Sequence, residues 1–407
     1  MNSEYDLIVV GGGMVGASLA RALTGCGLRI AVIEATPSQG DQQPSYDDRA
    51  IALAYGTRTI LQGIGVWDAL SAEAEPIRQI HVSDRGHFGF TRLDHKDHAI
   101  DALGYVATGH ELGKALFAGL EQLPHVTLYC PAKLTAFSLD AARARVELEC
   151  QGEALSISAR LLVAADGARS MVREQLGIEV REWAYGQTAV ISNLIPGTEP
   201  QGVAFERFTD AGPMAMLPLT EGRYGLVWTI SDEDVEHITA LTDKQFINQV
   251  QERFGYRLGR FRRAGVRSVY PLKLLQAKEH IRPRVALIGN AAHAVHPITG
   301  QGFNLGIRDV AVLADVLAEA NRAQADIGSL AVLEKYANWR KRDQQAVAMM
   351  TDGLVRLFTN PLLPVGVLRN LGMLALDMTP PLKRFVTRQF MGLNGRLPRL
   401  SRGLPLD

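Results

Sequence analysis

Residues 284–309, RVALIGNAAHAVHPITGQGFNLGIRD, decide how the rest of the chain is read. The run from Val285 to Ile288 is apolar and reads as a buried strand. The chain turns at Gly289-Asn290, passes His293, His296 and Pro297, and reaches Gly300-Gln301-Gly302-Phe303-Asn304. A helical pattern starts there. A strand that ends in small residues and feeds a helix N-terminus is a place to hold an anion or an electron-rich ring.

The matching piece lies at the other end of the chain. Leu7 to Val10 reads as a buried parallel strand, followed at once by Gly11-Gly12-Gly13-Met14-Val15-Gly16. A helix is predicted from Met14 to about Thr24 and a second strand from Arg29 to Ile33, closed by Glu34. This is G-x-G-x-x-G with a strand before it, a helix after it and an acid about 20 residues on. Gly11 permits the tight turn, Gly13 the approach of a pyrophosphate, and Gly16 close packing of helix on strand. Glu34 can accept from ribose hydroxyls and disfavours a 2′-phosphate. The motif does not separate NAD from FAD. Arg49, ahead of a helix expected from about Ala54 to Gly63 or Gly65, either meets phosphate or flavin or pairs with Asp47 or Asp48; local sequence leaves both open.

Composition sets the bounds. The chain has 407 residues with 47% hydrophobic content, enough for two or three domains or one large α/β fold with an inserted subdomain. Its 43 basic and 43 acidic residues balance, so nothing pulls it toward nucleic acid. The three cysteines, Cys26, Cys130 and Cys150, include no CxxC, which argues against disulfides and fits a reducing cytoplasm. The N-terminus has no basic secretory region, and no run of ~18 apolar residues predicts a membrane span.

Between these ends, strands are expected at 77–82, 104–107, 126–130, 134–137, 146–150 and 155–157, the last four as a small antiparallel sheet. A helix is expected from His110 to Leu120. Leu161 to Ala165 returns to the parallel pattern and ends in Asp166-Gly167, either a nucleotide contact or a plain turn. Residues 180–275 turn β-rich. Phe205, Met214, Met216, Leu217, Tyr224 and Trp228 form a sheet core or, less economically, one wall of a pocket. Alternation in FERF puts Arg207 on the face of Phe205 and opposite Glu206, where a charge could meet a phenolate or a flavin edge. The fold class is α/β. It has a Rossmann-like domain (1–75, 100–180, 276–350), an inserted β-sheet substrate domain (76–99, 181–275) and a helical C-terminal region (351–407).

Three motifs now stand in order: GGGMVG, ADGARSMVR and IGNAAHAVHPITGQGFNLGIRD. Together they resemble the class A flavoprotein aromatic hydroxylases of the para-hydroxybenzoate hydroxylase fold, over residues 5 to about 345. The runs HVSDRGHFGF and AFERFTDAGPMAMLPL look most like the ubiquinone-biosynthesis hydroxylases, in particular those acting at C4 of 2-polyprenyl-6-methoxyphenol. Where most relatives have Gly-Asp in the late motif, this chain has Gly289-Asn290, a departure that resembles the 2-polyprenyl-6-methoxyphenol hydroxylases; an asparagine still accepts through its carbonyl oxygen and adds two donors. His110-Glu111 stands where many relatives carry an arginine near the flavin diphosphate, so no cation is expected there.

The resemblance implies an FAD monooxygenase. NAD(P)H reduces FAD, O2 yields a flavin C4a-hydroperoxide, and its distal oxygen attacks a phenol ring. Gly11, Gly13, Met14 and Gly16 would hold the pyrophosphate, Glu34 the ribose, and Arg49 and Asp166 the FAD region. Gly289 and Asn290 would hold the ribityl chain, and Pro297 with Gly300, Gln301, Gly302, Phe303 and Asn304 would lie against the ring. Arg207 and His296 are the candidate catalytic side chains, His296 as a proton relay. His293 and His296 lack a third ligand at credible spacing, so no metal is expected.

The C-terminal run from Leu354 onward is apolar but broken by Arg356, Pro361, Pro364 and Arg369. It then becomes basic through Lys383, Arg384 and Arg388. It reads either as a peripheral contact with an anionic membrane face or as a helix packed on the FAD domain or a second subunit, including a homo-oligomer or a ubiquinone-biosynthesis complex. Competing functions are hydroxylation at another ring position or of another aromatic substrate, a geranylgeranyl reductase or halogenase-like reaction (the WxWxIP signature is absent), and a non-catalytic flavin-binding partner.

Overall fold

The computed structural model describes residues 3–37, 47–210, 212–296, 298–360 and 362–406; Pro297 therefore lies outside the described residues. At its centre is β1 (Ser3–Val10). This strand pairs in parallel with β2 (Ile30–Ile33) on one side and with β11 (Glu153–Ala164) on the other, so Leu7 sits opposite both Ile30 and Leu161. Leu7 to Val10 are buried on both faces, as a run without alternation requires. Leu7 and Val9 pack under α1 (Met14–Ala22) and α8 (Gln301–Arg322). Ile8 and Val10 face a second core that includes Val146 and Leu148.

Next to this trio, β8 (Val126–Tyr129) joins β2 in parallel and β19 (Val285–Leu287) joins β11 in parallel. The short β18 (Ile281–Arg282) closes that edge antiparallel. Val126–Tyr129 thus belongs to the parallel sheet and not to the expected antiparallel one. The reason is connectivity: α4 (Gly109–Phe117) precedes it, and a helical return delivers a parallel strand. The antiparallel part is β9 (Ala132–Leu139) and β10 (Ala144–Cys150), laid on the first half of β11. The two expected strands at 155–157 and 161–165 are one continuous element.

A second sheet of nine strands runs in the order β20 (His293–Ala294), β17 (Ser268–Ala277), β12 (Val180–Ile195), β15 (Arg223–Ser231), β14 (Gly212–Leu219), β13 (Val203–Thr209), β5 (Gln79–Asp84) and β6 (Phe90–Asp94), with β16 (Arg263–Ala264) beside β12. The strands of 79–94 and of 180–277 therefore share one sheet. Its outer face is covered by α6 (Val235–Ala240) and α7 (Asp243–Phe254), where Met214, Met216, Tyr224 and Trp228 meet Phe246 and Phe254. These four residues are sheet core and build no pocket wall.

A third, small sheet was not anticipated: β3 (Ala50–Ala54), β7 (Gly104–Thr108) and β4 (Glu75–Ile77). It lies against β14 of the second sheet and against α8, and leads into α2 (Tyr55–Gly63) and α3 (Trp67–Leu70). The short α5 (Met171–Gln175) follows β11.

The C-terminal helices are α9 (Leu330–Thr359), α10 (Leu363–Met378) and α11 (Pro380–Phe390). Buried polar contacts pin α10 to the edge of the second sheet. Arg369 donates to Asp84 through Nε (3.0 Å) and Nη2 (2.5 Å), Asn370 accepts from the backbone of Gly89 (2.8 Å), and Thr91 donates to the carbonyl of Met373 (2.6 Å). Among the described residues no helix is long and apolar enough to cross a membrane, and no disulfide forms.

Candidate active site

The N-terminal glycine loop is built by close approach. Gly11 has φ +95°, and a Cβ on it would stand 2.5 Å from the carbonyl oxygen of Ala165; a Cβ on Gly16 would stand 1.9 Å from that of Gly11. No larger residue fits either position. Glu34 ties the loop down, its Oε2 accepting from the backbone N of Gly12 (2.8 Å) and its Oε1 from that of Thr36 (2.8 Å). Across the sheet, Asp166 accepts from Val172 N (3.2 Å) with one oxygen. Its other oxygen, Oδ1, is buried without a hydrogen bond, and burial raises its pKa.

The late loop is organised by Asp309, which sequence reading passed over as an ordinary helix residue. It is fully buried on α8. Its Oδ2 accepts from the backbone N of Gly289 (3.0 Å) and from His293 Nε2 (2.6 Å), and its Oδ1 from Arg340 Nε (2.7 Å) and Gln344 Nε2 (3.0 Å). Burial alone would raise its pKa; His293 and Arg340 more than offset that and hold it well below the usual carboxylate range. His293 is therefore the partner of a carboxylate. Among the described residues no group of three or more His, Cys, Asp or Glu is placed to hold a metal ion.

Asn304 is a second organiser. Its Oδ1 accepts from Ala54 N (2.8 Å) and Thr57 Oγ1 (2.7 Å), and its Nδ2 donates to the carbonyls of Ala52 (2.8 Å) and Gly300 (2.7 Å). The first turn of α8 is thereby locked to the junction of β3 and α2. Gly300 caps the helix in the left-handed region, φ +61°. A Cβ on Gly302 would meet nothing within 4 Å, because that position borders open space.

That space is a cavity of about 1250 Å3. One side is lined by Gly13, Met14, Arg49, Gly289, Asn290 and the Gly300–Asn304 turn. The opposite side is the inner face of the second sheet: Ala189, Ile191, Ala204, Glu206, Phe208, Ala215, Leu217 and Val227. The far end is closed by α9, α10 and α11 through residues such as Leu354, Leu357, Val365, Leu368 and Val386. Leu357 and Leu368 are also 40% and 69% exposed, so this apolar end reaches solvent.

Two expected catalytic residues stand elsewhere. Arg207 shares a face with Phe205, as alternation required, but the face is turned toward α7, and Arg207, unlike Phe205, does not line the cavity. Phe205 stacks edge-on against Phe254 (5.5 Å), and Arg207 lies by Gly255 and Arg257. Alternation assigns relative faces and not which face is covered by a helix, so Glu206 takes the cavity position instead. His296 is wholly buried and does not line the cavity. Its Nδ1 accepts from Ile298 N (3.1 Å), its ring meets Tyr185 edge-on (5.1 Å), and burial pushes its pKa down to about 4. It is a neutral packing histidine. Arg49 takes the pairing of the two readings left open: its Nε is 2.5 Å from Asp47 Oδ2, it lies over the ring of Tyr270 (4.7 Å), and it also borders the cavity. Gln301 donates to the carbonyl of Phe390 (3.4 Å), joining the α8 turn to α11.

These residues fit FAD. Two helix N-termini, at Gly13 and Gly300, border one cavity; the glycine turns leave room for a pyrophosphate and a flat ring; and Asp166 holds a buried acceptor oxygen with no protein donor.

Comparison with known proteins agrees. The FAD binding domain family matches residues 4–351. A ubiquinone hydroxylase, UbiL, of Rhodospirillum rubrum is 40% identical over 98% of this chain and 93% of its own length. The 3-demethoxyubiquinol 3-hydroxylase of Escherichia coli is 34% identical over 96% of this chain and 100% of its own. In fold, the chain resembles the p-nitrophenol 4-monooxygenase PnpA of Pseudomonas putida with a TM-score of 0.79 at 22% identity, over 97% of this chain and 100% of that one.

Proposed function

The chain belongs to the FAD-binding hydroxylase family that includes the ubiquinone hydroxylases, and on that premise we propose that it hydroxylates the phenol ring of a polyprenylated ubiquinone precursor, using NAD(P)H and O2. The observation that carries the substrate is the cavity. It runs from the glycine turns to an apolar wall of C-terminal helices that opens to solvent at Leu357 and Leu368. A ring fits the first part and an isoprenoid tail the second. We assign 2-polyprenyl-6-methoxyphenol as substrate from the resemblance at Asn290 and the two substrate-sheet runs. The name of the Escherichia coli relative, a 3-hydroxylase, supports the alternative of another ring position in the same pathway.

Bound FAD would supply the redox chemistry, activating O2 for transfer of one oxygen atom to an electron-rich ring. The chain's own groups do the rest. Glu34 offers its remaining lone pairs to ribose hydroxyls, Asp166 Oδ1 accepts from the cofactor or donor, and Asn290 meets the ribityl chain. The N-terminus of α8, with about half a positive charge, favours an anionic ring beside Gly300 to Asn304. The apolar lining keeps water from the reacting atoms. In this reading residues 1–75, 100–180 and 276–350 hold the cofactor and 76–99 with 181–275 the ring. The 351–407 region closes the tail end and, through exposed Leu371, Met378 and Phe385 with exposed Arg384, lies against a membrane face.

The test is direct. Purified protein should carry a flavin spectrum that NAD(P)H bleaches faster when a phenol is present, and a deletion strain should accumulate the unhydroxylated precursor. Protein that takes up no flavin under any condition refutes the assignment. Liposome flotation of the full chain against one ending near Asp352 tests the membrane contact; equal flotation removes it.

A further inference from the structure

Four cavity-lining side chains are ionisable by charge type: Arg49, Glu206, Lys273 and Arg369. Three are engaged. Arg49 is paired with Asp47, Lys273 with Glu182 (2.6 Å) and Arg369 with Asp84. Arg369 also donates to the carbonyls of Leu357 (3.0 Å) and Phe358 (3.2 Å). Glu206 alone has no ion-pair or hydrogen-bond partner among the described residues. It stands at the middle of β13, between Ala204 and Phe208 on the same face. Its lateral neighbours are Ala215 on β14 and Val82 on β5. Ala189, Ile191, Leu217 and Val227 complete the apolar surroundings; the sheet's other polar lining residues are engaged, Thr91 donating to the carbonyl of Met373, Tyr270 to Asp47 and Lys273 to Glu182, so Glu206 is the one without a partner among the described residues.

A carboxyl group placed in apolar surroundings without a partner costs stability, and such a group persists where a ligand uses it. The ligand here has one polar end to satisfy. A phenol entering this cavity buries its hydroxyl against a sheet whose one unpartnered carboxyl is Glu206.

We propose that Glu206 is a catalytic residue, binding the phenolic hydroxyl of the substrate and accepting its proton. This rests on the hydroxylase reading above and names the protein group that activates the ring. The phenolic O–H bond breaks, the proton forms an O–H bond on a carboxylate oxygen of Glu206, and the electron pair stays on the phenolate oxygen. That pair raises the electron density of the ring for oxygen transfer from the flavin chemistry. As the ring regains aromaticity, the proton lost from the hydroxylated carbon passes through water to the negative charge that oxygen transfer leaves on the oxygen donor, and Glu206 returns its own proton to the product phenolate. The carboxyl ends as it began.

Burial is the sole cause acting on the carboxyl, and it pushes the pKa up to about 8. The charged groups nearest the cavity, Arg49, Lys273 and Arg369, are held by their own carboxylates, and the residues facing Glu206 from β5 and β14 are apolar. A base of this kind sits close to the operating pH and is better matched to a phenol than an ordinary glutamate.

The experiment compares the full chain, flavin-loaded, with Glu206→Gln and Glu206→Asp. The unaltered enzyme should show kcat/KM for hydroxylation rising through about pH 8. Glu206→Gln should lose that rise and fall by roughly 10²–10⁴ in rate, with flavin content unchanged. Glu206→Asp should recover part of the rate and the pH limb. A Glu206→Gln enzyme with the parental rate and pH profile overturns the proposal while leaving the hydroxylase reading intact. If the unaltered chain hydroxylates no phenol, that reading falls, and a nitrophenol decides the proposal without turnover. Its absorption reports whether the bound probe has given up its proton. Equal affinity and equal ionisation in parent and Glu206→Gln overturn it; loss of the bound phenolate in Glu206→Gln supports it.

Discussion

Replacing Asp309 by asparagine tests the organisation of the late loop with almost no change of shape. The carboxylate meets donors on both oxygens: Arg340 and Gln344 on Oδ1, Gly289 N and His293 on Oδ2. An amide has one acceptor oxygen, which goes to the charged Arg340. Its NH2 group then faces Gly289 N and His293. His293 can answer by moving its proton to the other ring nitrogen, but the Gly289 N–H is left buried without an acceptor. Breaking a buried ion pair costs about 3–5 kcal/mol, and the stranded donor is part of that sum. For a chain of 407 residues the unfolding entropy makes 1 kcal/mol worth about 1.2 °C, so the expected loss is about 4–6 °C. Flavin content should fall with it, because Gly289 carries Asn290 into the cavity. The assays are thermal unfolding of the apoprotein and flavin stoichiometry after purification. An Asp309→Asn protein with parental melting temperature and full flavin would refute the account.

Further outcomes follow from the same contacts. Arg369→Met should cost about 3–5 kcal/mol by stranding the Asp84 carboxylate at the α10 contact, read by urea denaturation; a loss under 1 kcal/mol would show that α10 docks by other means. Asn304→Ala removes four hydrogen bonds at the first turn of α8 and should lower flavin occupancy several-fold more than it lowers melting temperature; full occupancy would refute the clamp. His81, His280 and His296 are each pushed down to about 4, in every case chiefly by burial. The unfolded chain binds their protons below about pH 6.5 while the folded chain does not. Stability should therefore fall as pH drops from about 6.5 to about 4, and His296→Phe should flatten that slope in pH-dependent thermal scans. Glu206 acts in the opposite direction: its folded pKa is raised, so its contribution is present below about pH 4.3 and lost as pH rises to about 8. Glu206→Gln should then gain stability over the parent at pH 8 and not at pH 4.

The cofactor half of the fold was legible because its signals are local. A glycine that must accept φ > 0, as at Gly11, or must carry no Cβ, as at Gly16, leaves a mark at its own position. What escaped is relational. Val126–Tyr129 reads as a strand, but its parallel partner is fixed by the helix before it. Arg207 and Glu206 alternate as expected, yet only α7, lying on one face, decides which of them meets the cavity. Asp309 looks like any helical aspartate, and nothing in its neighbours signals that Gly289, 20 residues earlier, and Arg340, 31 later, converge on it. The C-terminal helices carried an apolar, basic signal that admits several partners; Asp84, Gly89 and Thr91, some 280 residues away, supply the one observed.

The Asn304 clamp bears on the order of events during synthesis. Ala54 and Asn304 are 250 residues apart, so closing that contact costs about 2 kcal/mol more in chain entropy than closing a loop one tenth as long. At roughly 5–20 residues per second on the ribosome, the β3–α2 junction waits about 12–50 s for the turn that completes it. β19 arrives in the same late interval to cover β11. The glycine loop at Gly11–Gly16 thus exists early as half a pocket, with one edge of its sheet unpaired and its apolar faces bare. Cofactor capture waits for the Gly300–Asn304 turn, and the nascent chain is most in need of a chaperone before that turn has emerged.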